Sequence, residues 1–101
     1  MSKTVIPTAE LHALLKSFKE RHAQEYRLSA LGYFGSYARN EAKPDSDVDV
    51  IFRTDHPDLF VTSMLRQDLE AFLDRPVDVV RLRDSMNPRL KARIEREATF
   101  V

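Results

Sequence analysis

The sequence predicts an α/β domain in which helices pack on a small sheet, and three observations carry that expectation. Apolar residues recur at helical spacing, as in Leu11, Leu14, Leu15 and Phe18. Between the helical stretches lie a short apolar run around 28–34 and two short runs rich in β-branched residues, around 48–53 and 76–80. The two kinds of segment alternate along the chain, which is the order that sets helices against a sheet.

Thr8 is placed to cap the first helix, with Glu10 in the first turn, where a negative charge suits the helix dipole. After a polar stretch from Arg21 to Arg27, the first strand spans Leu28 to Phe34. A Gly35-Ser36 turn and a short helix near Tyr37 to Asn40 follow, and the second strand runs from Val48 to Arg53. Pro57-Asp58 opens a longer helix with Val61, Met64, Leu65, Leu69, Phe72 and Leu73 on its apolar face, closed by Asp74-Arg75-Pro76. The third strand holds Asp78. Asn87 as cap and Pro88 at the first helical position begin the last helix, with Leu90 and Ile94 facing inward. Thr99, Phe100 and Val101 form a final strand or an interface lip. Gly32 permits a close approach of the first strand to its neighbour, a packing role.

At 101 residues there is room for one core, so residues 1–101 read as a single domain. Sixteen basic and sixteen acidic residues cancel, which leaves no broad cationic footprint for duplex DNA. The absence of cysteine excludes a disulfide framework and a thiolate zinc site. His12, His22 and His56 lack metal-ligand spacing and read as surface or partly buried side chains. No leader pattern and no membrane-length apolar run is visible, so the expected location is the cytoplasm.

The densest chemistry lies between residues 34 and 52. Asp47 and Asp49 are two apart in an extended segment, so their carboxylates share a face about 7 Å apart. Aspartate is depleted from strands, and two like charges repel unless a cation lies between them. Mg²⁺ suits the pair, because it takes one or two protein carboxylates and completes its octahedron with water and phosphate oxygens. Gly35 lets the backbone approach a ligand, and Ser36 and the N–H groups after it can hold phosphates, the more so if a helix opens there. Arg39 adds a fork-shaped donor, and Asp78 is a third acid on a later strand. Each part has a plainer reading. The paired acids alone fit the solvent face of an edge strand, Arg39 fits a surface ion pair with Glu41 or Asp45, and Gly35-Ser36 fits an ordinary turn. Their joint occurrence in this order favours a metal-bound triphosphate site.

These residues resemble the nucleotidyltransferase superfamily of DNA polymerase beta, in particular its minimal, MNT-type members. The family pattern is Gly-Ser, ten intervening residues, then Asp-x-Asp, with a third acid on a later strand, and Gly35, Ser36, Asp47, Asp49 and Asp78 fall on those positions. The fuller form Gly-Ser-x-Ala-Arg-Gly-x-Ala is matched by Tyr37, Ala38, Arg39, Glu41 and Ala42, with Asn40 in place of the second glycine. Asparagine tolerates the left-handed conformation better than most residues. The tail from Asn87 to Ala98 is similar to MNT C-termini.

The resemblance implies a mixed sheet and transfer of AMP from ATP to a hydroxyl with release of pyrophosphate. It implies that Asp47, Asp49 and Asp78 hold two Mg²⁺ ions, while Gly35, Ser36 and Arg39 hold the triphosphate. The chain has no room for an added acceptor domain. Minimal members typically accompany a helical HEPN RNase toxin and act as its antitoxin by modifying a tyrosine hydroxyl. Two other readings stand beside this one: an antitoxin that masks its partner by contact alone, and a nucleotidyltransferase acting on a small molecule such as an aminoglycoside.

Overall fold

The computed structural model describes residues 4–101; residues 1–3, the start of the segment read as having no leader, lie outside the described part. Among the described residues, helices α1 (Thr8–Tyr26), α2 (Leu59–Leu73) and α3 (Pro88–Glu97) accompany a sheet of β1 (Leu28–Phe34), β2 (Val48–Thr54), β3 (Val77–Arg81) and β4 (Thr99–Phe100). The sheet order is β3-β2-β1-β4. β1 runs antiparallel to β2 and β4, and β2 runs parallel to β3, so the sheet is mixed. A parallel pair needs a crossover, which α2 provides between β2 and β3. None of the described helices is long and apolar enough to cross a membrane.

The pleat sorts side chains to two faces. Val48, Val50 and Phe52 of β2, with Leu31, Tyr33 and Val77, face α1 and α2 and meet Leu11, Leu15, Phe18, Leu65, Leu69 and Leu73. Each such fully buried side chain contributes about 1.5–3 kcal/mol. On the opposite face, Phe34, Ile51, Met86 and Ile94 form a smaller cluster with α3.

Capping follows the sequence at α2 and α3. The Asp58 carboxylate accepts from the Phe60 N–H at 2.7 Å, and the Asn87 side chain accepts from the N–H groups of Arg89 and Leu90 at 2.9 and 3.3 Å, with Pro88 next in line. Asp74, in the left-handed conformation, ends α2. Thr99 and Phe100 form the final strand, on β1. Gly32 fills its expected packing role, since a Cβ there would lie 2.5 Å from the Thr99 carbonyl oxygen.

Four local expectations are corrected. α1 continues through Arg21 to Tyr26, because Phe18, His22 and Tyr26 follow one another at i, i+4 and their rings pack in series; Arg27, with φ 52°, stops it. Thr8 is not the cap. Pro7 occupies that position, and the Thr8 hydroxyl donates to the Tyr37 carbonyl at 3.2 Å. The segment after Gly35 is a set of turns and not a helix, because Gly35 and Asn40 both adopt positive φ, at 72° and 58°. Met64 is 52% exposed, since the buried row of α2 is centred on Leu65, Leu69 and Leu73.

Candidate active site

The alternation that gives β2 its buried Val48, Val50 and Phe52 turns Asp49 to the other face, the one shared with Ile51 and α3. Parallel pairing sets Asp49 directly beside Asp78, and antiparallel pairing sets it beside Phe34, the residue before the Gly-Ser turn. Neighbouring strands are about 4.8 Å apart, so the two acids are closer across the sheet than any two on one strand face. Asp47 lies one residue ahead of β2, whose pairing starts with the Val48 N–H donating to the Pro76 carbonyl at 3.1 Å. Its acid therefore reaches the site from a loop and not from the strand.

Electrostatics tie these groups together. Burial pushes the Asp49 carboxyl above its ordinary range, the negative charges of Asp78 and Asp47 push the same way, and Arg93 and Arg39 pull against them. Asp47 and Asp78 are exposed while Asp49 is half-buried, so the cluster opens to solvent on the side away from the sheet. The ligand atoms of the three acids do not converge within 4.8 Å. Among the described residues, the set that does so is His22, Glu25 and Asp68. That set belongs to α1 and α2, on the opposite face of the sheet, where the Tyr26 hydroxyl donates to Asp68 and His22 pairs with Glu25 at 2.9 Å. The sequence offered no sign that His22 meets two acids there, because one of them comes from a different helix.

The Gly35-Ser36 turn sits against Asp49. A Cβ on Gly35 would collide with the Asp49 carboxylate, so both the positive φ and the close approach require glycine. The turn is closed by the N–H of Arg39 on the Gly35 carbonyl at 3.0 Å and the N–H of Glu41 on the Ser36 carbonyl at 2.8 Å. No helix begins at Ser36, so no helix dipole acts there; the donors available are individual turn N–H groups and the Ser36 hydroxyl. Tyr37 anchors the turn. Its ring is buried among α1 and α2, and its hydroxyl accepts from Arg75 at 3.2 Å.

Arg39 pairs with Glu41 at 3.3 Å, one of the two surface partners the sequence suggested, and also with Glu97 of α3 at 3.1 Å; no pair with Asp45 forms. Arg93 and Glu97 join this charge cluster, and the sequence did not single them out. Their only local signal is the i, i+4 spacing of opposite charges on α3, which is common on any solvated helix.

A model of the nucleotidyltransferase domain matches residues 11–101. This chain is a member of the nucleotidyltransferase domain family. Among its relatives is the protein adenylyltransferase MntA of Thermococcus cleftensis, 33% identical over 93 residues, which span 91% of this chain and 93% of the relative. Two solved structures share the fold of this nucleotidyltransferase at lower identity. One is a toxin–antitoxin complex with AMP-PNP, at a TM-score of 0.71 and 24% identity over 84% of this chain and 70% of that one. The other is a tri-AMPylated HEPN toxin of Shewanella oneidensis in complex with its MNT antitoxin, at a TM-score of 0.65 and 23% identity over 88% of this chain and 70% of that one.

Proposed function

We propose that this nucleotidyltransferase moves AMP from ATP to a hydroxyl, most simply a tyrosine hydroxyl, of a HEPN-type toxin in the cytoplasm, and that the modification neutralises the toxin. The observation that carries the reading is the register of Asp49 with Asp78 beside a glycine turn packed on the Asp49 carboxylate. It puts acids where they would hold the divalent cations that a triphosphate on the turn needs as counter-charge. The name of the Thermococcus cleftensis relative and the tri-AMPylated toxin bound by the Shewanella oneidensis antitoxin supply the acceptor class.

The donor set fits Mg²⁺: its ligands are hard carboxylate oxygens, and Asp49 is raised in pKa by burial and by Asp78 and Asp47, a strain that a divalent cation relieves. Asp47, Asp49 and Asp78 would hold two such ions, which when bound neutralise the triphosphate and acidify the attacking hydroxyl. The chain's own residues supply orientation. The Ser36 hydroxyl and the N–H groups of Ser36, Tyr37 and Ala38, which do not close the turn, take phosphate oxygens, Gly35 keeps the approach open, and Arg39 and Arg93 balance charge from the side of α3. Asp78 lies on the edge strand, so the acceptor hydroxyl arrives from that side. Leu59 and Phe60, at 90% and 78% exposure, add apolar surface of the kind a protein acceptor covers.

The test is to incubate the chain with Mg²⁺, α-labelled ATP and the product of the adjacent open reading frame, and to weigh that product by mass spectrometry. Addition of one or more AMP groups is expected. A partner that binds tightly yet stays unmodified would overturn the catalytic reading in favour of masking by contact.

A further inference from the structure

We infer that Glu97 is a positioning residue for the triphosphate: it acts through Arg39 and the Gly35 turn, and it makes the last turn of α3 part of the nucleotide site. The inference rests on the nucleotidyl-transfer reading above. Glu97 Oε2 accepts from Arg39 Nη1 at 3.1 Å and from Arg93 Nε at 3.3 Å, so one carboxylate oxygen gathers the two arginines whose charges act on Asp49. The backbone N–H of Gly35 makes a further favourable contact. Burial alone would push this carboxyl up, but the Arg93 hydrogen bond and charge, the Arg39 charge and the Gly35 N–H together hold it below the ordinary range.

The placement follows from the sheet. β4 pairs with β1 through Thr99 on Tyr33 and Phe100 on Gly32. Continuing that antiparallel register by two residues sets Glu97 opposite Gly35. Burial of Ile94 and the Ala98 N–H on the Ile94 carbonyl at 2.8 Å hold the helix end in place. Arg39 is thus tied at Nε by Glu41 and at Nη1 by Glu97, while its Nη2 edge has no partner among the described residues. Arginine is among the side chains that lose most rotamer freedom on ordering, and a guanidinium already pinned with one edge free binds phosphate without that loss. Glu97 also lowers the net positive charge of the pair. A pure competitor for Arg39 would do the same, so the sign of the effect on nucleotide affinity decides between the two roles.

The experiment measures the Kd of AMP-PNP with Mg²⁺ by calorimetry for the wild type, Glu97→Gln, Glu97→Ala, Arg39→Ala and the Arg39→Ala/Glu97→Gln double variant, with thermal melts of each. Loss of a charge-assisted clamp predicts binding weaker by about fivefold for Glu97→Gln, which keeps the shape, and about tenfold for Glu97→Ala. On the Arg39→Ala background, Glu97→Gln changes the Kd by less than about twofold, because the two residues act as one unit. In transfer assays the loss falls on the KM for ATP more than on kcat. A Glu97→Gln protein with wild-type or tighter binding overturns the inference whatever its melting temperature, as does full additivity with Arg39→Ala. A wild type that binds no AMP-PNP sinks the nucleotidyl-transfer reading itself, and the positioning role with it; a wild type that binds while the variants bind equally well sinks the positioning role alone.

Discussion

The two faces of the central sheet are made by alternate residues of the same strands, yet they do opposite things. Val48, Val50 and Phe52 are fully buried under α1 and α2, in the larger core cluster, while Asp49, one step along the same strand, stands among other acids beneath α3. Among the described residues, the cluster on the α3 face has four buried apolar residues, with Val80, Leu82, Leu90 and Ala98 partly buried against it. The main core and the acid cluster are therefore separated by a period of two. A change on one face is expected to be felt as lost folding free energy, and a change on the other as lost transfer.

The sharpest break in that comparison is Asp49→Asn, which should cut nucleotidyl transfer by roughly 10²-fold or more while making the metal-free protein more stable. The sign follows from the raised pKa of Asp49. A group whose folded pKa is raised contributes stability below its unfolded pKa and loses it as pH rises through the folded value. The advantage of the asparagine variant should therefore be seen in melts at pH 7 and vanish below about pH 3.9, the ordinary aspartate pKa. A wild-type transfer rate in this variant would remove Asp49 from the site.

Leu69→Ala, on the other face, should cost about 2–5 kcal/mol in urea unfolding. Its KM for ATP should stay unchanged wherever the protein is folded, and a raised KM would mean the two faces are coupled. Gly35→Ala tests the seam between them. It meets both the left-handed penalty of about 1–2 kcal/mol and the Asp49 carboxylate, so stability and nucleotide affinity should fall together, read by melts and AMP-PNP titration. The smallest effect is expected at Asn40, whose φ is 58°. Asn40→Gly should lie within about 0.5 kcal/mol of the wild type and Asn40→Ala should lose about 1 kcal/mol or more.

Several features were legible because their causes are local. β2 and β3 follow β-branched runs and β1 a short apolar run ending in Tyr33 and Phe34, Asp58 and Asn87 cap helices as short polar side chains at helix starts do, and Asn40 takes the left-handed turn that its residue type allows. The order glycine turn, paired acids, third acid was also visible, since it is written as spacing. Other features were not. That Arg21 to Tyr26 would extend α1 depended on His22 stacking on Phe18, and that Asp47 would lie off the strand depended on where β3 begins to pair. Helix formation after Gly35 was excluded by two positive φ values, only one of which a glycine announces.

The sequence by itself determined the alternation of helices and strands, the pleat that keeps Asp49 away from the core, and the glycine that the turn requires, because each depends on neighbours within a few residues. Only the tertiary structure decided that Asp49 and Asp78 stand side by side, that Tyr37 anchors the turn in the core, and that Glu97 from the far end of the chain gathers Arg39 and Arg93. The reason is physical: register between strands and the docking of a helix are set by packing over the whole sheet, which pairs residues 29 and 58 positions apart through contacts that no local pattern records.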